Sequence, residues 1–329
     1  MYQGVTGFRN WLYDRTLFKV HKVETRVISV GNITMGGTGK TPVTLALVDY
    51  IQKKGHTCGV ISRGYKRELK GVHEVGTKPG AAQEFGDEPA LIKFTHPEIP
   101  VVVGEKRILA AQSILSSRKV DFLLCDDAFQ HRSLHRDLNV VLFDATEPMK
   151  NYRMIPVGRA RENVGPAVKR ADILVLTKAN LVAKEDLDMR VEWLQARSSR
   201  PIVFADYVMK GMRNLKGDRR ENLTDSVLLV SGVAKPEAVE KTLGGMVKVV
   251  KHRSFDDHHR YTDLEIENIL DEASQLGARW ILTTGKDAMK LSAFNRLKDR
   301  LWVIEMEVQF RGEAKALYEA IDGLARQSN

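Results

Sequence analysis

The chain has 329 residues, 43% hydrophobic and 28% charged, with two cysteines, a balance that provides for a buried core. It excludes a disordered, collagen-like or disulfide-scaffold protein, and Cys58 and Cys125, each inside an apolar run, predict a reducing compartment. The formal net charge of +9 predicts an anionic partner, with nucleic acid, a nucleotide and an anionic lipid surface all open.

Length suggests about two domains. No apolar run is long enough for a spanning helix, and Tyr13-Asp14-Arg15 interrupts any signal-peptide core. Short β-branched runs then alternate with helical patterns, as in βαβ units that build a mostly parallel sheet. Strands are predicted at Arg26–Val30, Thr57–Ser62, Pro100–Val103, Val120–Asp126, Asn139–Asp144 and Ala171–Thr177, with helices at Pro42–Lys54 and Lys106–Arg118. A second series places strands at Ser226–Ser231, Met246–Lys251, Arg279–Thr284 and Leu301–Glu305, and helices at Lys235–Leu243, Asp263–Leu276 and Gly312–Arg326. The polar stretch Lys210–Asn222 is expected to cross between two α/β domains.

Between the first strand and the first of these helices runs Gly31-Asn32-Ile33-Thr34-Met35-Gly36-Gly37-Thr38-Gly39-Lys40-Thr41. Glycines let backbone N–H groups curl round phosphate oxygens, a lysine reaches the β/γ-phosphates, and a hydroxyl meets Mg²⁺. Thr34 stands where the usual first glycine would be, and Gly36-Gly37 supplies the turn. A dinucleotide site fits worse, because Gly37-x-Gly39-x-x-Pro42 lacks a third glycine and the second strand ends in Ser62-Arg63 without a ribose-binding acid. The expected ligand is a nucleoside triphosphate, held by Met35, Gly36, Gly37, Thr38, Gly39, Lys40, Thr41 and Pro42.

Three acidic clusters follow. Asp126-Asp127 ends an apolar strand, where an acid can hold Mg²⁺. Gly86-Asp87-Glu88-Pro89 reads equally as a helix N-terminus and as a site for a hydroxyl-deprotonating base. Asp256-Asp257-His258-His259 holds the adjacent histidine pair. Neither it nor His131-x-x-x-His135 has cysteine partners or an H-E-x-x-H pattern, so zinc is not expected.

Together these residues resemble the tetraacyldisaccharide 4′-kinases of lipid A biosynthesis. The phosphate loop Val30–Pro42 is similar to that family's, as are Ser62-Arg63-Gly64-Tyr65, Gly86-Asp87-Glu88-Pro89, Asp126-Asp127-Ala128-Phe129-Gln130-His131, Asp257-His258-His259 and Thr284-Gly285-Lys286-Asp287-Ala288, in order. The resemblance implies transfer of the ATP γ-phosphate to the 4′-hydroxyl of a tetraacyldisaccharide 1-phosphate. It also implies two α/β/α domains joined by a short β linker: an N-terminal helix over 1–25, a P-loop kinase domain over 26–209, a smaller α/β domain over 210–311 and a C-terminal helix over 312–329. Asp87 matches the base, supported by His258 or His259, with Lys40 and Arg159 the further catalytic cations. Thr41, Glu88, Asp126 and Asp127 match metal ligands, and Arg63, Tyr65, Gln130 and His131 match substrate contacts. Pro156-Val157-Gly158-Arg159-Ala160-Arg161-Glu162 departs from the family's usual Gly-Pro-Leu-Arg-Glu, which leaves Arg159 and Arg161 in competition.

The implied cofactors are ATP and Mg²⁺, and the implied partner is the lipid A disaccharide precursor, with no nucleic acid and no protein partner. The competing classes are a P-loop switch ATPase and a metal-delivery GTPase, the latter suggested by Leu176-Thr177-Lys178-Ala179-Asn180. At the N-terminus, Tyr2, Val5, Phe8, Trp11, Leu12, Leu17, Phe18 and Val20 interleave with Arg9, Arg15, Lys19, Lys22 and Arg26. That mixture predicts peripheral attachment to an anionic membrane, the cytoplasmic face of a Gram-negative inner membrane.

Overall fold

The computed structural model describes residues 2–78 and 80–326, without the side chains of Tyr2, Gln3 and Glu313. The Tyr2 side chain of the expected interfacial helix therefore lies outside the described residues. The strands are β1 (Arg26–Asn32), β2 (Cys58–Ser62), β3 (His73–Glu74), β4 (Val101–Val103), β5 (Phe122–Asp126), β6 (Leu138–Asp144), β7 (Ile173–Thr177), β8 (Ile202–Asn214), β9 (Arg219–Arg220), β10 (Leu223–Ser231), β11 (Val247–Ser254), β12 (Trp280–Thr283) and β13 (Leu301–Phe310). They form one sheet in the order β11-β10-β12-β13-β8-β7-β6-β1-β5-β2-β4-β3, with β9 paired to β8. The two α/β halves thus share a sheet.

Most strands match the apolar runs that predict them, because strands covered on both faces read as continuous Val, Ile and Leu. In β1, β2, β5 and β7 nearly every residue is buried. Two elements carry no such signal. Helix Lys184–Gln195 is mostly polar, and β8 alternates buried with half-exposed residues, so its charged residues read as loop. The stretch Lys210–Asn222 is accordingly no open linker: it contains the end of the longest strand, the short β9 and the turn between them.

The β8–β13 ribbon explains the site. β8 is parallel to β7 through Ile202–Ala205, and β13 is parallel to β12 through Leu301–Val303. The two long strands are antiparallel, with Phe310 opposite Ala205 and Trp302 opposite Asn214. One parallel block sits at each end of the ribbon, and the carboxyl ends of both blocks point toward its middle. Ligands of open α/β sheets bind outside the carboxyl ends of strands, and here two such edges face each other across one cleft.

The chain returns along β13 and finishes on the first half. Leu317 and Ile321 of helix Lys315–Arg326 are buried with Val43, Leu47 and Ile51 of helix Lys40–Lys53. Tyr50 stacks on Tyr318, and its hydroxyl donates to Oδ1 of Asp322 at 2.8 Å.

Candidate active site

The loop after β1 wraps into helix Lys40–Lys53, whose N-cap is Gly39 at φ 83°. Three successive carbonyls of the loop are tied outward. The Lys178 ammonium donates to Gly37 O at 3.0 Å, the Thr177 hydroxyl to Thr38 O at 2.9 Å, and the Tyr207 hydroxyl to Gly39 O at 2.8 Å. With these carbonyls held this way, and the Thr38 and Met35 N–H groups bonded to Gly36 O and Arg159 O, the other loop N–H groups are left for an anion at the positive end of the helix. A Cβ at Gly39 would stand 1.8 Å from the Tyr207 oxygen, so glycine is required there for space as well as for φ. Lys40 Nζ lies 3.5 Å from Asn32 Oδ1 and 3.6 Å from Asp127 Oδ1. Met35 is half-exposed at the tip, its N–H bonded to Arg159 O at 2.8 Å, and Pro42 lies in the first turn of the helix.

Asp126 ends β5 fully buried, and neither carboxylate oxygen has a hydrogen-bond partner among the described residues. Burial, with Glu88 and Asp127 adding to it against Lys40 and Arg107, pushes its carboxyl up to about 7. An unpartnered buried carboxylate is costly. Asp126 pairs with Val30 of the phosphate-loop strand and feels the charges of Lys40 and Glu88, and with the Thr41 hydroxyl and Glu88 on the neighbouring cleft wall it fits a divalent cation. Asp127 turns away into a left-handed backbone (φ 49°) and meets Arg161 Nη1 at 3.2 Å. Burial opposes its charge, but Lys40 and Arg161 hold its carboxyl below the usual range. The two adjacent acids at the end of β5 thus differ, Asp127 being ion-paired and Asp126 unpartnered among the described residues.

Asp87 opens helix Asp87–Thr95 but does not cap it: the cap is Gly86, which makes no side-chain bond. Gly86 packs on Gly64, so a Cβ there would be 3.1 Å from the Gly64 Cα, and this sets the Arg63–Tyr65 loop directly over Asp87. Across the cleft, Asp87 Oδ2 accepts from His258 Nδ1 at 3.0 Å. Burial works against the Asp87 charge, yet this bond and the Lys290 and Lys286 ammonium groups hold its carboxyl low. His258 is in the left-handed region (φ 63°), with the Tyr65 ring 5.2 Å away. Among the described residues, Asp127, Lys178 and His258 are three of the five non-glycine residues at positive φ, a concentration of strain expected at a working site.

Not every expected residue gathers here. His259 is not brought to Asp87; it stacks on Phe255 and bonds Glu265 at 3.0 Å. Arg159, half-exposed, lies 3.6 Å from Glu147 with its Nη1 3.7 Å from where a Cβ on Gly36 of the phosphate loop would stand, whereas Arg161 meets the Asp127 carboxylate. The Gln130 amide is committed to Asn32 O at 2.7 Å and Glu162 at 3.0 Å, and His131 to Ser133 at 3.0 Å. Arg63 is exposed on the loop over Asp87. The segment that suggested guanine reading is spent on the protein, since Asn180 exchanges two hydrogen bonds with the Tyr207 backbone.

Sequence reasoning missed Asp144, Glu147 and Lys235. Asp144 accepts from Lys178 at 2.7 Å and from Lys235 of the second half at 3.1 Å, and Lys235 also meets Glu147 at 2.7 Å. An acid ending an apolar strand, as Asp126 does, was the available signal for Asp144. All these groups follow carboxyl ends of strands, and many line a cleft of about 690 Å³ that includes the phosphate loop, Glu88, Lys235, Asp257 and Lys286.

The family model for tetraacyldisaccharide-1-P 4′-kinases matches residues 1–326. The chain belongs to this family. A tetraacyldisaccharide 4′-kinase of Bdellovibrio bacteriovorus is 37% identical to it, over 99% of this chain and 97% of that one. One of Syntrophus aciditrophicus is 35% identical, over 88% and 81% of the respective chains. The crystal structure of an LpxK from Aquifex aeolicus in complex with ATP is similar at a TM-score of 0.77 and 30% identity, covering 98% of this chain and 96% of that one. Membership in the tetraacyldisaccharide 4′-kinase family disfavours the switch-ATPase and metal-delivery readings.

Proposed function

We infer that the protein transfers the γ-phosphoryl group of ATP to the 4′-hydroxyl of a tetraacyldisaccharide 1-phosphate, the phosphorylation of lipid A biosynthesis. The observation that carries the reading is the Asp87–His258 bond between the two halves, made next to Glu88 and Asp257, which line one cleft with the phosphate loop. Asp87 Oδ takes the hydroxyl proton, and the 4′-oxygen forms its bond to Pγ. The bond from Pγ to the bridging oxygen breaks, and ADP leaves with that electron pair. His258 keeps the carboxylate oriented as an acceptor. Lys40 would meet the charge that spreads over the phosphoryl group in the transition state, with Arg159 beside Gly36 and Arg161 at Asp127 the two arginines for the same task.

Asp126, with Thr41 and Glu88, would hold Mg²⁺, which when bound neutralises the β/γ-phosphate charge. Among the described residues no three His, Cys, Asp or Glu side chains form a protein-only cage, so the remaining ligands would be phosphate and water oxygens. We also propose the domain division 1–25, 26–209, 210–311 and 312–329, the described helix Lys315–Arg326 of the last packing on the first half.

Among the described residues no helix is long and apolar enough to cross a membrane. Helix Tyr2–Asp14 docks by its polar side: Arg9 donates to Gln130 O at 2.9 Å, Asn10 to Glu162 at 3.2 Å, and Arg132 meets Asp14 at 2.7 Å. Val5, Phe8 and Trp11 are left exposed, as are Leu17, Phe18 and Val20 beyond it. An apolar outer face beside cations supports peripheral attachment to the anionic cytoplasmic leaflet of the inner membrane. The catalytic reading is tested by ATP turnover with and without the disaccharide acceptor: turnover that needs the acceptor supports a kinase, and turnover indifferent to it contradicts one.

A further inference from the structure

Thr284-Gly285-Lys286-Asp287-Ala288 has no task in the transfer chemistry above. It begins helix Gly285–Leu291, which follows β12 in the second half and lies against helix Asp87–Thr95 of the first. The two approach closely, since a Cβ at Gly285 would stand 3.0 Å from Leu91 Cδ1. Near the end of the later helix, Lys290 places its ammonium between two carboxylates, 3.3 Å from Asp87 Oδ2 and 3.2 Å from Asp287 Oδ1.

The two carboxylates differ in how they are held. Asp287 is fully buried and receives the Gly232 N–H at 2.9 Å, the Tyr261 hydroxyl at 3.2 Å and the Thr284 hydroxyl at 2.7 Å. It is a fixed anchor on the second half. Asp87 belongs to the first half, and its contacts across the cleft are His258 and the lysines. The Lys290 side chain is only 11% exposed, and among the described residues its Nζ has no hydrogen bond beyond these two ion pairs. A desolvated ammonium is tolerated only while its counter-charges stay close. Displacing Asp87 from it would leave Lys290 shared with Asp287 alone.

We propose that Lys290 is a positioning residue, a cation clamped between Asp287 and Asp87 that holds the base in register with His258 across the two halves. The proposal rests on the reading of Asp87 as the base. Lys286 has a different place, nearer the cleft, 3.4 Å from both Asp257 Oδ1 and His258 Nε2. It cannot stand in for Lys290 between the two aspartates.

The test is a mutational cycle on the full chain with Lys290→Met, Asp87→Asn and the double variant, reading kcat, acceptor KM, ATP affinity and melting temperature. The expected result is a fall in kcat of at least about twentyfold for Lys290→Met, with acceptor KM and ATP affinity within about threefold. In the Asp87→Asn background, Lys290→Met should change kcat by less than about twofold, because there is no base left to position. Lys290→Arg should restore part of the loss. Where the methionine variant does not fold, Lys290→Gln, which keeps a donor but no charge, is carried through the same cycle. Equal losses in both backgrounds, or losses shared between KM and kcat, would mark a lysine that only stabilises the fold and overturn the clamp. Full activity of Lys290→Met beside a crippled Asp87→Asn overturns the clamp alone. Near-full activity of Asp87→Asn overturns the base and the clamp together.

Discussion

The Tyr207 hydroxyl donates to the Gly39 carbonyl at 2.8 Å, which ties the phosphate loop to the strand that joins the two halves of the molecule. Tyr207 lies on β8 just past its pairing with β7, where the ribbon runs free toward the second half. Loop geometry and ribbon position are therefore mechanically linked. Tyr207→Phe keeps the ring and removes one hydrogen bond, worth about 0.5–1.5 kcal/mol net. ATP affinity measured by calorimetry is expected to fall about two- to tenfold with the melting temperature little changed. Unchanged affinity would mean that the carbonyl tie does not preorganise the loop.

The histidine pair separates by partner. His258→Ala is expected to lower kcat by about ten- to a hundredfold and to be strongly non-additive with Asp87→Asn. His259→Ala, which loses Glu265 and the Phe255 stack, should add independently and act mainly on stability. Coupling of His259 rather than His258 to Asp87 in the rate cycle would reverse the assignment.

His131 gives the protein a pH-dependent stability term. Burial, reinforced by Arg107, Arg9, Arg136 and Arg63, pulls its imidazole down from 6.5 to about 4. The unfolded chain therefore binds a proton that the folded chain refuses. Stability is full above pH 6.5, declines as pH falls from 6.5 toward 4, and levels off below. Urea midpoints at neutral pH and at an acidic pH within that span should differ less for His131→Gln than for the wild type. Equal acid losses in the two proteins would show that His131 carries none of this dependence.

Membrane attachment is best tested by point changes, because deleting helix Tyr2–Asp14 would also remove Arg9 from Gln130 and Asn10 from Glu162. Phe8→Ser with Trp11→Ser alters only the exposed, mutually stacked pair. Sedimentation with anionic vesicles should be weakened by this change and by high salt, since each nearby cation contributes about 1 kcal/mol at low ionic strength. Binding indifferent to both would place the membrane contact elsewhere.

The strands of the first half and the phosphate loop were legible because doubly covered parallel strands are continuous apolar runs and their carboxyl ends carry the motifs. The motif acids Asp87 and Asp126 could be placed for the same reason. What stayed hidden has a common cause: it depends on pairing across the cleft. β8 buries one face through Val203, Ala205, Tyr207 and Met209, and Asp206, Lys210 and Arg213 mask that alternation in the sequence. Tyr207 on that strand carried no signal at all. Adjacent residues such as His258 and His259, or nearby ones such as Arg159 and Arg161, have the same chemistry in one dimension, and only the backbone turn decides which meets Asp87 or Asp127. Likewise, nothing in composition shows that two parallel blocks share one sheet through an antiparallel ribbon.

The most direct test of the central claim follows the γ-phosphoryl group itself. Purified full-length protein is incubated with γ-labelled ATP, Mg²⁺ and tetraacyldisaccharide 1-phosphate, and the label is located on the product. The account predicts label on the 4′-oxygen, a loss of at least about a hundredfold in rate for Lys40→Ala and for Asp87→Asn, and no transfer once the divalent cation is chelated. Label appearing only as inorganic phosphate at a rate indifferent to the acceptor, or full transfer by Asp87→Asn, would contradict it.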